Sequence, residues 1–148
     1  MNGQTRIALL DVNVLVAMLD QEHPHFRAAQ DWFLGNRESG WATCPITEIG
    51  LIRVLSSRAY AENAVTPEHA RGLLVHLSGI GRHEFWPDSI AFRDLGADFT
   101  AVTSRQTTDL YLLALAVANG GRFVTLDRRI PARVLGDPGI AALEVITA

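Results

Sequence analysis

Four acidic residues stand where core packing has no use for a charge. Asp11 closes the apolar run Ile7-Ala8-Leu9-Leu10, and Asp127 closes Phe123-Val124-Thr125-Leu126. Glu48 follows Pro45 by three residues, and Asp109 follows the pair Thr107-Thr108. Carboxylates gathered in one cleft repel one another unless a cation is present. Oxygen ligands without His or Cys select Mg²⁺ or Mn²⁺, which keep several waters and are completed by phosphate oxygens. Such a site orients and deprotonates water and stabilises the leaving oxygen of an in-line attack on phosphorus. The chemistry implied is metal-dependent phosphodiester hydrolysis. Each acid also has a plainer use. Glu48 and Asp109 can complement helix dipoles, worth about 0.3–1 kcal/mol each. Asp11 and Asp127 can form turns after strands.

The elements decide between these uses. Residues 6–10 read as a buried strand and 13–20 as a short helix. His23-Pro24-His25 is a turn, and Pro24 starts a helix to about Leu34, stopped by Gly35-Asn36. Trp41 to Cys44 is a second strand, and Ile46 to Ser56 a helix in which Gly50 marks close packing. Thr66-Pro67-Glu68 opens a helix to about Leu77. Glu84-Phe85-Trp86 is a third strand. Ser89 to Leu95 is a short helix capped by Asp88, which accounts for that acid. Thr107 or Thr108 caps a helix through Asn119, followed by strands at 123–126 and 143–146. Helices alternating with short strands imply right-handed crossovers and a mostly parallel sheet covered on both faces. In such a sheet the strands' carboxyl ends and the helices' N-termini share one edge, where ligands bind at the switch point. Asp11, Glu48, Asp109 and Asp127 all map to that edge, from four separate elements.

Composition narrows the class. The chain has 148 residues, 48% apolar and 20% charged, which are globular values. One domain over residues 1–148 is expected. A net charge of −3 argues against a protein that coats nucleic acid through a basic face. All 13 basic residues are Arg, so no lysine-dependent mechanism is open. The single Cys44 cannot form an internal disulfide, which points to a reducing compartment. No basic-then-apolar leader opens the chain, and no run approaches the roughly 20 apolar residues of a membrane span. A soluble, cytoplasmic protein is expected.

Read in order, four stretches carry a resemblance. Ile7-Ala8-Leu9-Leu10-Asp11-Val12-Asn13-Val14-Leu15, Pro45-Ile46-Thr47-Glu48-Ile49-Gly50-Leu51-Ile52-Arg53-Val54-Leu55, Thr108-Asp109-Leu110 with Leu113-Ala114, and Val124-Thr125-Leu126-Asp127-Arg128 resemble a PIN domain, more narrowly a VapC toxin of a bacterial toxin–antitoxin pair. Each motif alone is weak, and the ordered set, which covers nearly the whole chain, is strong. The resemblance implies a three-layer α/β/α fold with a five-stranded parallel sheet and a Mg²⁺- or Mn²⁺-dependent ribonuclease. Asp11, Glu48, Asp109 and Asp127 match the family's acidic positions, and Asn13 and Thr125 its polar supporting positions. Homodimers and a VapB-type antitoxin partner are implied by the resemblance alone.

Other residues divide between function and structure. Arg128, Arg129 and Arg133 either contact RNA phosphates or form a solvated basic face. His23-x-His25 has ligand-like spacing but reads as a surface turn. Arg53, five residues beyond Glu48, belongs to an ion pair or subunit interface. Trp32, Trp41, Trp86 and Cys44 read as core. Receiver domains need a lysine, and haloacid-dehalogenase-like phosphatases need a second Asp where Asn13 stands. A non-catalytic module that has kept the fold, binding RNA or protein, and a structure-selective DNA nuclease are the remaining alternatives.

Overall fold

The computed structural model describes residues 6–147. Five strands form one sheet: β1 (Ala8–Leu10), β2 (Trp41–Thr43), β3 (His83–Phe85), β4 (Arg122–Thr125) and β5 (Leu143–Val145). Their order is β3-β2-β1-β4-β5 and every pairing is parallel. The order reverses at β1, which pairs with β2 through Ala8–Trp41 and with β4 through Leu10–Val124. The expected switch point therefore lies between β1 and β4, directly beneath Asp11 and Asp127.

Strand alternation sorts the core into two layers. Ala8 and Leu10 face one side, with Trp41, Val124 and the buried residues of α1 (Val12–Leu19), α2 (Phe26–Asn36), α3 (Pro45–Leu55) and α4 (Pro67–Ser78). Leu9 faces the other, with Ala42, Phe123 and the buried face of α5 (Thr107–Ala118), closed by α6 (Gly136–Ala142). Strands buried on both faces need continuous apolar sequence, which explains runs such as Ala8-Leu9-Leu10, fully buried throughout. The three-layer α/β/α arrangement is as expected.

Several details differ from the sequence reading. Pro24 stays in the turn, and α2 begins at Phe26 and runs through Gly35. Residues 89–95 form only a 3-10 turn, Phe92–Asp94. The Ile90 carbonyl accepts from the Tyr111 hydroxyl at 2.8 Å instead of from a helical N–H. With no helix there, Asp88 is an exposed loop acid, not a cap. Before α5, a 3-10 turn (Ser104–Gln106) carries a capping box between Thr103 and Gln106, so Thr107 and Thr108 lie inside the helical run. The helix α6 hides behind Gly136-Asp137-Pro138-Gly139, which reads as a turn. Trp41 and Trp86 are core, whereas the half-buried Trp32 donates its indole N–H to Glu144 at 2.7 Å beneath the Arg122 guanidinium. Arg53 is exposed and has no ion pair among the described residues.

Two glycines mark close approaches of different severity. A Cβ at Gly50 would stand 2.6 Å from Val12 Cγ2, where α3 crosses α1. At Gly121 it would stand 2.5 Å from the Ile7 carbonyl oxygen and 2.6 Å from the Trp86 ring. That carbonyl accepts from the Arg122 N–H at 3.0 Å, so it cannot move without breaking the sheet. Overpacking costs about 1–3 kcal/mol, and Ala regains up to about 1 kcal/mol of helix propensity at Gly50 only. Gly121→Ala is expected to lower the melting temperature by about 5–10 °C and Gly50→Ala by clearly less. Thermal melts check this, and the reverse order would contradict the packing described.

Candidate functional site

At the carboxyl edge the backbone changes direction at Asp11. Its extended φ/ψ of −63° and 155° make it the N-cap of α1, and its carboxylate accepts from the Val12 N–H at 2.7 Å. The other carboxylate oxygen accepts from the Thr125 hydroxyl, also at 2.7 Å. Thr125, fully buried at the end of β4, in turn accepts from Asn13 Nδ2 at 3.2 Å and from the Asp127 N–H at 3.0 Å. Asn13 closes the ring by accepting from the Leu126 N–H at 3.1 Å. One hydroxyl thus ties the end of β1, the first turn of α1 and the loop after β4 together.

Electrostatics link a third acid. Burial, then the charges of Asp11 and Asp127, push the Asp109 carboxyl up to about 6, against the pull of Arg129. Burial also raises Asp11, partly offset by its bonds from Thr125 and Val12, with Asp127 adding to the rise. Asp127 differs: burial pushes it up, but the Arg129 N–H at 2.8 Å and guanidinium at 3.2 Å hold it below the usual carboxylate range. Three aspartates from three elements therefore act on one another at this edge. A groove of about 330 Å³ opens there, lined by Asp11, Val12, Asn13, His23, Tyr60 and Asp109 among others. Concavities of about 580 and 710 Å³ lie along α2–β5 and beside Arg53; the first is lined by Asp31 and by Glu144, which is already engaged by Trp32 and Arg122, and the second by no acid. Chemistry selects the smaller one.

Glu48 occupies the same edge but a different concavity. It lines the cleft between α3 and α4 with Ile49 and Arg71, and accepts from the Thr43 hydroxyl at 2.7 Å. Arg128 and Arg133 are exposed and unpaired among the described residues, while Arg129 is engaged with Asp127. His23 does sit in a turn, yet that turn forms the groove's wall. Sequence reasoning passed over its place there, and also over Thr43, whose signal was a lone hydroxyl at the end of an apolar strand, as at Thr125.

A family model for the PIN domain matches residues 8–134, from β1 to the 3-10 turn before α6. The chain belongs to the PIN-domain family. Within it, the chain groups with VapC-type proteins. It is 45% identical over 125 residues to Ribonuclease VapC44 of Mycobacterium tuberculosis, covering 83% of this chain and 87% of that one. It is 44% identical over 122 residues to Ribonuclease VapC39 of the same organism, covering 81% and 88%. Ribonuclease VapC38, again from that organism, is 41% identical over 121 residues, covering 82% and 85%.

The donor set of this PIN domain, carboxylates with a supporting hydroxyl and amide, suits a hard cation. Among the described residues no three His, Cys, Asp or Glu side chains already stand in a chelating arrangement. The residues therefore fit an ion that keeps much of its water, as Mg²⁺ does, with some carboxylates reaching it directly and others through that water. The metal-free state carries a defined pH dependence. An unfolded Asp titrates near 3.9, and folded Asp109 near 6. Between these values the folded chain binds more protons than the unfolded one. Stability is then fully present below about 4 and is lost as pH rises through about 6. The shift corresponds to at most about 3 kcal/mol, reduced to about 1–2 by solvent screening of a half-buried group. His23 and His83, whose imidazoles burial holds below the usual range, act in the opposite sense over the same window, so the comparison with Asp109→Asn isolates the carboxylate. Denaturant melts in EDTA between pH 4.5 and 7.5 should show the wild type losing stability relative to Asp109→Asn as pH rises. A difference that stays constant or changes the other way would contradict the acidic cluster.

Proposed function

We propose that this chain is a divalent-cation-dependent endoribonuclease, the toxin component of a VapBC-type pair, built as one catalytic domain over residues 1–148. The observation that carries the reading is the gathering of three aspartates at one sheet edge: Asp11 and Asp109 line one groove, and Thr125 ties Asp11 to the loop of Asp127. Burial and the two neighbouring charges push Asp109 up to about 6. An edge that gathers negative charge at a stability cost is best explained by a cation it is built to receive. The ribonuclease names of VapC44, VapC39 and VapC38 support RNA as the substrate.

Asp11, Asp109 and Asp127 would hold Mg²⁺ or Mn²⁺, with Glu48 the fourth acid of the site. The cation, when bound, supplies Lewis-acid stabilisation of charge on the scissile phosphate. The chain's own residues do the positioning. Asp11, held at both oxygens by Val12 and Thr125, is the fixed member. Asp109 accepts no hydrogen bond among the described residues and is free to adjust. Asn13 and Thr125 keep Asp11 and the loop carrying Asp127 in register. Arg128 and Arg133 stand beside that loop, exposed, where phosphates flanking the cut would pass. A VapB-type antitoxin and a homodimeric state complete the proposal, as the family assignment supports. The proposed site of action is the cytoplasm; no helix among the described residues is long and apolar enough to cross a membrane.

Asp11→Asn and Asp109→Asn should each abolish RNA cleavage, with new RNA 5′ ends mapped in cells expressing the wild type and absent with either variant. Full activity in either variant would remove that acid from the mechanism. Cleavage of duplex DNA in place of RNA would favour the DNA-nuclease alternative. Separately, Mn²⁺ should raise the melting temperature relative to EDTA by relieving carboxylate repulsion. Identical melts would count against the cation site.

A further inference from the structure

The fourth acid has its own support, on the opposite face of the sheet. Thr43, the last residue of β2, is fully buried, and its hydroxyl has two partners. It donates to Glu48 Oε2 at 2.7 Å and lies 2.8 Å from His83 Nε2, on the adjacent strand β3. A hydroxyl carries one proton, and a carboxylate only accepts. The Thr43 proton is therefore committed to Glu48, and His83 must donate Nε2–H to the hydroxyl oxygen. This holds whether the imidazole is neutral or charged. The His83 ring is fixed in turn, tilted against Trp41 with centroids 4.5 Å apart, and Trp41 is anchored by its indole N–H to the Ile80 carbonyl at 2.9 Å. Donation into a hydroxyl oxygen strengthens the bond that hydroxyl gives. Among the described residues Glu48 Oε1 has no hydrogen-bond partner, so the chain fixes one carboxylate oxygen and leaves the other available.

We propose that Thr43 and His83 are positioning residues for Glu48, a two-step relay from the β3 edge that sets the carboxylate's orientation and leaves Oε1 to act on the cation through its water shell, from the neighbouring concavity. The proposal rests on the nuclease reading above and deepens it. Supporting groups of this kind typically change activity or metal affinity by about 10–100-fold when removed.

The test uses the full-length protein with two readouts, RNA cleavage kinetics and Mn²⁺ affinity by electron paramagnetic resonance. Thr43→Val removes the hydroxyl at nearly constant shape. It should lower kcat by about 10–100-fold with KM for RNA within about twofold, and weaken Mn²⁺ binding. Thr43→Ser should restore both. His83→Phe keeps a ring on Trp41 and loses only the donor, and should show a smaller loss in the same direction. Because Thr43 acts through Glu48, Thr43→Val added to Glu48→Gln should cost nothing more. The proposal is overturned if Thr43→Val keeps wild-type kcat and Mn²⁺ affinity, if Thr43→Ser fails to rescue, or if the two losses multiply. Should Thr43→Val not fold, His83→Phe decides alone, wild-type values overturning the relay. A wild type that binds Mn²⁺ without cutting RNA would refute the nuclease reading, and the relay would still be judged on Mn²⁺ affinity.

Discussion

The carboxyl edge depends on one hydroxyl proton. Thr125 gives it to Asp11, and its lone pairs receive Asn13 Nδ2 and the Asp127 N–H. A buried carboxylate at a strand end costs free energy unless its oxygens are satisfied. Here both oxygens are satisfied from within the chain, by Thr125 and by the first N–H of α1. The same bonds fix where α1 begins and how the chain leaves β4. The order reversal at β1 is what makes this possible, because it sets β1 and β4 side by side with Leu10 level with Val124.

Around that hub the three aspartates ionise with different ease. Arg129 pairs with Asp127 and favours its ionised form, whereas at Asp109 burial and two negative neighbours outweigh the pull of the same guanidinium. Pairing every acid with an arginine would have neutralised the edge and left little to attract a cation. The structure places its one site guanidinium at the exposed rim, with the Arg129 side chain 87% exposed, where solvent screens most of its charge.

The strands, the helices α3 and α4, and the edge position of all four acids were legible because each rests on local rules: apolar runs, Pro at a first helical turn, and antiparallel return of helices. Residues 89–95 and α6 were not, since both are decided by tertiary contacts. Tyr111 takes the Ile90 carbonyl, and Gly139 lets α6 lie close against the Ala132 carbonyl. Side-chain direction was equally out of reach. Glu48 shares the edge with Asp11, but its carboxylate is held by Thr43 in the α3–α4 cleft, beside the groove of Asp11 and Asp109 instead of inside it. His23 shows the converse: its turn was read correctly, and its place in the groove wall follows only from where that turn lands.

Thr43 and Thr125 solve the same problem on the two faces of the sheet. Each ends a strand, each is fully buried, and each spends its only proton on a site acid. A neutral donor fixes a carboxylate's orientation without cancelling its charge, and a Lys or Arg cannot separate those effects. The chain has no Lys, and none of its Arg residues bridges to Asp11, Glu48 or Asp109 among the described residues. Geometry comes from hydroxyls and backbone N–H groups, and charge is kept for the ligand. Valine would fit either threonine position by shape, so the hydroxyl at each is there for the acid it holds.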